Sequence, residues 1–473
     1  MDMYRSRRDR RRHHPQTRSP DAAMLAPIAP GHLPVLGNLY SMRTAPLATL
    51  TRALRENGDI SRVEFPGGQR GHFLFHPDHV KTILVDHAKQ VSKDTPGFAA
   101  LRLLLGNGLV TSDGPVWLRQ RRIAQPAFHR AKIFALGGRM VELTRRTADE
   151  WSVAAKAGTT IDVAESMMRL TLRVVADTML GKDVERDAAG VGRAITYLLH
   201  NLNERIVRPW APPVTWPTPN NRRFLEARDS VVRVVDEAIA SRRAKPDAPG
   251  GEFLRMLIEA RDEETGEAMN DQQLRDEVVT IFGAGHETTA NLLAWTWSWL
   301  SRMPHVRRKM LAELDEVLGD RDATAEDYPK LPYTRAVLSE SLRITPVVWL
   351  LSRRLLQDIT VGEYTLPAGT LAFLSPYATH RHPGFWDNPE GFDPERFMEG
   401  ATSNRPTLAY FPFGAGPRKC IGDTFALVEA TLVLATLARR FELELPPGMV
   451  PVPEPVITMR PRGGLPMRVR ERS

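Results

Sequence analysis

Cys420 is the only cysteine among 473 residues. It lies in the run Phe413-Gly-Ala-Gly-Pro-Arg-Lys-Cys420-Ile-Gly422, where three glycines fall within nine positions. One cysteine forms no internal disulfide, and a zinc or iron–sulfur site needs several ligands. The glycines let the backbone turn tightly and bring N–H groups close to whatever the sulfur holds. A helical apolar pattern starts just beyond, from Asp423 to about Arg440, which sets a positive helix end beside the sulfur. N–H donors and a helix dipole favour a thiolate. A lone, sheltered thiolate is what a haem iron needs as a protein ligand.

A second constellation, Ala284-Gly285-His286-Glu287-Thr288-Thr289, interrupts a long apolar run. Asn270 is placed to cap a helix with Gln273 as its box partner, and Met303-Pro304 ends the run beyond Leu300. Such a helix is roughly 45 Å long, enough to cross a domain, and its apolar middle must be buried. A glycine there costs about 1 kcal/mol against alanine, and an unpaired buried carboxylate costs more. Local rules that fail together mark a working site. Ala284 and Thr288 are four apart and share a face. Gly285 opens room beside them for a diatomic ligand. Glu287 points elsewhere and is placed to link the threonine to water. His286 reads as structural, and Trp295 and Trp299 as core.

The Cys420 run fills, at Phe413, Gly416, Arg418, Cys420 and Gly422, the pattern Phe-x-x-Gly-x-Arg-x-Cys-x-Gly, and so resembles the haem-binding loop of the cytochrome P450 superfamily. Residues 284–289 resemble that family's oxygen-activation motif. The resemblance covers about residues 27–473 and implies a mainly α fold with a small β region. It implies haem b (iron protoporphyrin IX) between the central helix and the Cys420 loop. Cys420 would ligate the metal, and Glu287 and Thr288 would manage protons. Ala284, Gly285, Phe413 and Gly422 would border the cofactor. Trp117 and Arg121, four apart on one helix face, would meet a propionate together with Arg353 and Arg418, through charge-assisted bonds. Glu340 and Arg343, followed by Pro346, match a buried network completed by Arg396 in Pro394-Glu-Arg-Phe397. Phe98, Leu101, Phe282, Val347, Val348 and Thr458 are expected around the substrate, with Leu105 and Leu109 nearby.

The implied reaction inserts one oxygen atom from O2 into an apolar small molecule, by hydroxylation or epoxidation. Its electrons would come from a separate ferredoxin- or flavodoxin-type protein. A basic patch of Arg119, Arg122 and Lys419, with Arg130 and Lys132, is expected to receive that donor. A peroxide-driven relative would usually lose the acid–threonine pair, and a haem sensor would not need one.

The remaining chain must position these residues. Asp59–Phe65 and Gly71–Phe75 alternate like a hairpin around Gly67-Gly68, and His76–Val85 reads as a short helix. Residues 93–113 show little periodicity. Helical patterns span 133–155, 162–181, 187–206 and 220–242. Short strands are expected at 359–361, 364–366 and 370–374, with a turn at Pro367-Ala-Gly369. The hydrophobic fraction is 42% and the charged fraction 25%, as in globular chains. No stretch reaches the ~20 apolar residues of a membrane span, and no signal peptide is evident. A lone cysteine fits a reducing, cytoplasmic setting. The net charge of +8 is concentrated in residues 1–20, with seven arginines against two aspartates. Residues 1–26 therefore read as a disordered basic tail, with no nucleic-acid partner expected, and 27–473 as one domain.

Overall fold

The computed structural model describes residues 25–472 apart from 182–184, 209 and 402–403. The Arg-rich run falls outside the described residues.

The fold is mainly helical, with small sheets at one side. Helices α1 (Pro96–Leu105), α2 (Gly114–Ala124), α3 (Val163–Val175), α4 (Asp271–Arg302), α5 (Pro332–Ile344) and α6 (Asp423–Arg440) carry the groups of interest. Longer helices at Gly137–Ala157, Glu185–Val207 and Pro219–Ala244 surround them. Central α4 starts at a reciprocal capping box: Asn270 Oδ1 takes the Gln273 N–H at 2.9 Å, and Gln273 Oε1 takes the Asn270 N–H at 3.2 Å. It packs against α3, α5 and α6. Its second half, Ala290 to Leu300, joins one apolar core with α6, and its first half, Leu274 to Phe282, joins another with α1 and α3. With apolar neighbours all round, α4 is held rigidly by both cores.

The largest sheet contains β1 (Ile60–Glu64), β2 (Arg70–Leu74), β3 (Val91–Ser92), β4 (Leu351–Leu355) and β5 (Leu371–Leu374), in the order β1-β2-β5-β4-β3. β2 and β5 run parallel and the other pairs antiparallel. The turn between β1 and β2 is Pro66–Gly68, with Gly67 at φ 78, which a glycine adopts freely. A small hairpin pairs Ile359–Val361 with Tyr364–Leu366.

Four elements differ from the sequence reading. The helix expected at 76–85 is an α turn, Pro77–Lys81, continued by a π turn, Thr82–Asp86. The pattern at 133–155 divides into Arg130–Ala135 and Gly137–Ala157. α1 arises in the segment read as aperiodic, because Phe98-Ala-Ala-Leu-Arg-Leu-Leu-Leu is apolar on nearly every face. β4 was not foreseen because it holds two adjacent arginines. Among the described residues, no helix is long and apolar enough to cross a membrane.

Candidate active site

The Cys420 loop is folded by its own backbone. Cys420 N–H reaches Phe413 O at 2.9 Å, Gly414 N–H reaches Phe411 O at 2.9 Å, and Lys419 N–H reaches Gly416 O at 3.1 Å. Gly416 lies at φ 64, and a Cβ there would strike the carbonyl of Leu84. Only glycine permits that approach. The residue Cys420 is exposed, yet burial pushes its thiol up, against the pull of the Gly422 N–H, Arg121 and Lys419. The sulfur is thus accessible to solvent while its surroundings desolvate it. The expectation that the loop alone favours the thiolate is therefore corrected: desolvation outweighs the N–H and cationic groups around the sulfur. Among the described residues no cluster of three His, Cys, Asp or Glu could hold a metal.

Around the loop stand more cations than anions. Arg353 is buried in β4, and its side chain donates to the Ser352 carbonyl at 2.8 Å. Burial pulls its pKa down to about 10, and does the same to Arg418. Arg418 pairs with Asp113, but its Nη1 is buried with no partner. Lys93 is buried too, its Nζ on the Val110 carbonyl at 2.8 Å, and burial next to Arg353 and Arg418 holds it well below its usual range. Asp113 is the carboxylate that answers all three. Charges this desolvated need a further anion, and two propionates of a haem meet that need. Trp117 lies flat against Arg418, with Cζ 3.8 Å from its ring centre. Arg121 donates to the Lys419 carbonyl at 3.1 Å. The structure thus gathers Trp117, Arg121, Arg353, Arg418 and Cys420, and the residues present fit the group. The neighbouring Arg354 turns away: strand alternation sends it to the carbonyls of Asp94 and Gly369 at 2.6 and 2.9 Å.

Sequence reasoning missed Lys93 and Asp113. Lys93 left no signal, being a single lysine in an irregular stretch. Asp113 precedes Gly114-Pro115 and reads as a helix cap, but its side chain makes no cap bond. It serves Arg418 and the Lys93 N–H instead.

On α4, Ala284 is exposed and Thr288 half-buried, while His286, Glu287, Thr289 and Ala290 are buried. The helix opens one narrow face in mid-core. Thr288 Oγ1 donates to the Ala284 carbonyl at 2.8 Å, which leaves its lone pairs free for a donor. Glu287 turns off that stripe. It accepts from Thr458 Oγ1, which also accepts from Asn291 Nδ2 at 3.3 Å. Burial pushes its pKa up, while Thr458 and Arg460 oppose this. Thr458, expected beside substrate, is buried as the partner of this carboxyl. His286 is neutral: burial pulls it down to about 4, and its Nδ1 lies 3.0 Å from the Phe282 carbonyl.

The Glu340–Arg343 network underlies the loop. Arg343 Nε and Nη2 meet the two Glu340 oxygens at 2.7 Å each, and both side chains are 0% exposed. Arg343 also donates to the carbonyls of His380, Pro389 and Gly391 at 3.0, 2.7 and 2.8 Å. Arg396 Nε stands 3.5 Å from Glu340. His380, missed in sequence, extends the line by accepting the Phe411 N–H at 2.9 Å, two residues before Phe413.

The expected pocket residues scatter. Phe98 lies beside Lys93 and Arg353, 5.0 and 6.0 Å from its ring centre. Leu101 and Val348 are half-buried. Phe282 and Val347 are buried, packed in the two apolar clusters. The proposed donor patch is also corrected. Arg122 forms a fork on Asp262 at 2.9 and 3.0 Å and reaches Glu264 at 2.7 Å. Arg119 bonds Gln273 and the Ala268 carbonyl, with Glu267 at 3.4 Å. Carboxylates of the loop before α4 thus neutralise both, and Lys419 pairs with Asp423 at 2.6 Å.

Comparison with known proteins adds to this geometry. The family described as Cytochrome P450 matches residues 27–465. Cyclooctatin synthase of Streptomyces melanosporofaciens is 36% identical over 91% of this chain and 93% of its own. Cyclooctat-9-en-7-ol 5-monooxygenase of the same organism is 36% identical over 91% and 92%. Pentalenene oxygenase of Streptomyces avermitilis is 31% identical over 89% and 92%. Among solved structures, the crystal structure of the cytochrome P450DA heme domain superposes with a TM-score of 0.86 at 29% identity, covering 95% of this chain and 98% of that one.

Proposed function

The chain belongs to the cytochrome P450 family, and from that premise we propose a haem b enzyme that oxygenates a carbocyclic, terpene-type hydrocarbon or its alcohol. That it is a monooxygenase, an oxidoreductase using O2, follows from the family. The observation that carries the site reading is the set of buried, under-neutralised cations, Lys93, Arg353 and Arg418, gathered beside the Cys420 loop. The substrate class takes its support from the relatives named for cyclooctat-9-en-7-ol and pentalenene.

Bound through Cys420, the haem would supply oxygen activation, with thiolate electron density favouring O–O cleavage. Lys93, Arg353 and Arg418 are the residues that would hold its anionic edge. Gly416 and the Cys420 N–H bond keep the sulfur in place. The open stripe at Ala284 admits a small ligand next to the Thr288 hydroxyl. Thr288 accepts and passes on a proton there, and Glu287, whose pKa burial pushes up, is the reservoir behind it through water. Apolar side chains about the opening exclude other water, which preserves coupling.

Spectral titration tests the substrate class. The holoenzyme should give its largest blue shift of the Soret band with carbocyclic hydrocarbons and alcohols. A shift with fatty acids alone would contradict the proposal.

Thr288→Ala should leave ligand binding and reductant consumption nearly intact, with less product per reductant and more peroxide. Wild-type coupling in that variant would remove Thr288 from the relay. Glu287→Gln should slow the proton-dependent step, since the amide holds the Thr458 bond but supplies no proton.

The electrons come, on this reading, from a separate ferredoxin- or flavodoxin-type protein. With Arg119 and Arg122 neutralised, the exposed Arg130 and Lys132 are the basic groups left to steer an acidic donor. Reversing both to glutamate should slow the first electron transfer and flatten its salt dependence, without changing peroxide-driven turnover. Equal rates at low salt would exclude this docking site.

A further inference from the structure

A second buried carboxyl on α4 has no part in the chemistry above. Glu277 lies seven residues before Ala284, two turns along the helix, and so shares its stripe. It is fully buried. Its Oε2 accepts the Leu109 N–H at 3.0 Å, while Oε1 is buried with no partner among the described residues. Burial pushes its pKa up to about 8, aided by Asp276 and opposed by the Leu109 N–H.

Leu109 belongs to the connection from α1 to α2, residues 106–113. Further bonds fasten that connection and the end of α1. Asp276 Oδ2 accepts the Asn107 N–H at 2.8 Å, Thr280 Oγ1 donates to the Leu105 carbonyl at 3.3 Å, and Gln120 Nε2 donates to the Asn107 carbonyl at 3.2 Å. Gly106 and Gly108 permit the close contact. A Cβ on Gly106 would strike the Asp276 carboxylate, and one on Gly108 would strike Thr280 and the Asp276 carbonyl.

The charged groups around this contact include Lys93, whose Nζ sits on the Val110 carbonyl at 2.8 Å. Residues 105–112 themselves carry none. Arg102 of α1 is bonded to the Thr111 carbonyl at 2.9 Å, Arg119 of α2 to Gln273, and Arg275 of α4 to Asp236 of the Pro219–Ala244 helix. Of these neighbours, Asp276 alone adds to the field at Glu277.

We propose that Glu277 is a positioning residue: it seats the 106–112 connection against α4 as a wall of the substrate pocket, and the seating is linked to one proton. The pocket assignment rests on the monooxygenase reading; the seating itself does not. The sign follows from linkage. The seated state holds the proton more tightly than an open one, in which the carboxyl is hydrated and ordinary. Seating is therefore complete below the usual carboxyl range and is lost as pH rises to about 8, by up to about tenfold per pH unit. Above that it levels off. Residues Leu105 and Leu109 then swing with the connection, so pocket access follows the same curve.

Hydrogen–deuterium exchange of the holoenzyme tests this between pH 6 and 9, with intrinsic exchange rates divided out. In the wild type, opening across 106–110 should rise with pH and flatten above about 8. In Glu277→Gln, which retains an acceptor but cannot titrate, opening should be flat across the range. In Glu277→Ala it should be higher by about fivefold or more at pH 6, from the lost bond. Association of phenylimidazole with the haem should follow the same profiles. A Gln variant that keeps the wild-type pH curve overturns the proposal, as does an Ala variant with unchanged exchange. If the Ala variant cannot be recovered folded, the Gln profile decides alone. Because exchange is read on the backbone, a correct latch in an enzyme of other chemistry would still show it.

Discussion

An Arg343→Ala chain is expected to be recovered insoluble or without haem, and to lose about 3–5 kcal/mol of stability, the usual cost of breaking a buried pair. That is a large part of the roughly 5–15 kcal/mol that holds a domain together. Arg343 is fully buried and spends its guanidinium on both Glu340 oxygens and on three carbonyls of the 380–391 segment. Removing it orphans all of them at once. Arg396 is no substitute, since its Nε stands 3.5 Å from Glu340 and lacks hydrogen-bond geometry. Glu340, already pushed up by burial against the pull of Arg343, would take a proton and lose its hold on the Asp393 N–H. The damage reaches the Cys420 loop through the His380 bond to Phe411. Urea unfolding and haem content measure the effect. A folded, haem-replete but inactive protein would instead assign Arg343 a part in the chemistry.

A Cys420→Ser protein should fold and yet make no detectable product with any redox donor. The substitution is nearly isosteric, and the loop bonds that shape it are backbone to backbone. Circular dichroism of the purified variant should therefore match the wild type. A hydroxyl is a far weaker donor to iron than a thiolate, so haem retention should fall as well. Retained turnover would mean that another group holds the metal.

The parts of this fold that were legible in sequence are those where local chemistry and tertiary position agree. Asn270 and Gln273 cap a helix in any context, so α4 began where expected. Glu340 and Arg343 share a helix face by spacing alone, though only the structure shows them fully buried. What was hidden depended on distant neighbours. Arg353 and Arg354 look equivalent in a chain, and only pairing of β4 with β5 turns one inward. Lys93 has meaning only once Arg353, Arg418 and Asp113 are folded around it. Arg119 and Arg122 read as an exposed basic face because the carboxylates that neutralise them lie about 140 residues away. Thr458 reads as a pocket residue until Glu287 is found on its hydroxyl.

The most direct test of the central claim, that Cys420 presents a thiolate to haem iron, is the reduced carbon-monoxide difference spectrum of the holoenzyme beside that of Cys420→Ser. The wild type should show the long-wavelength Soret band of a thiolate-ligated haem, and the variant should lose it. The same band in both proteins, or its absence from a fully loaded wild type, would contradict the assignment.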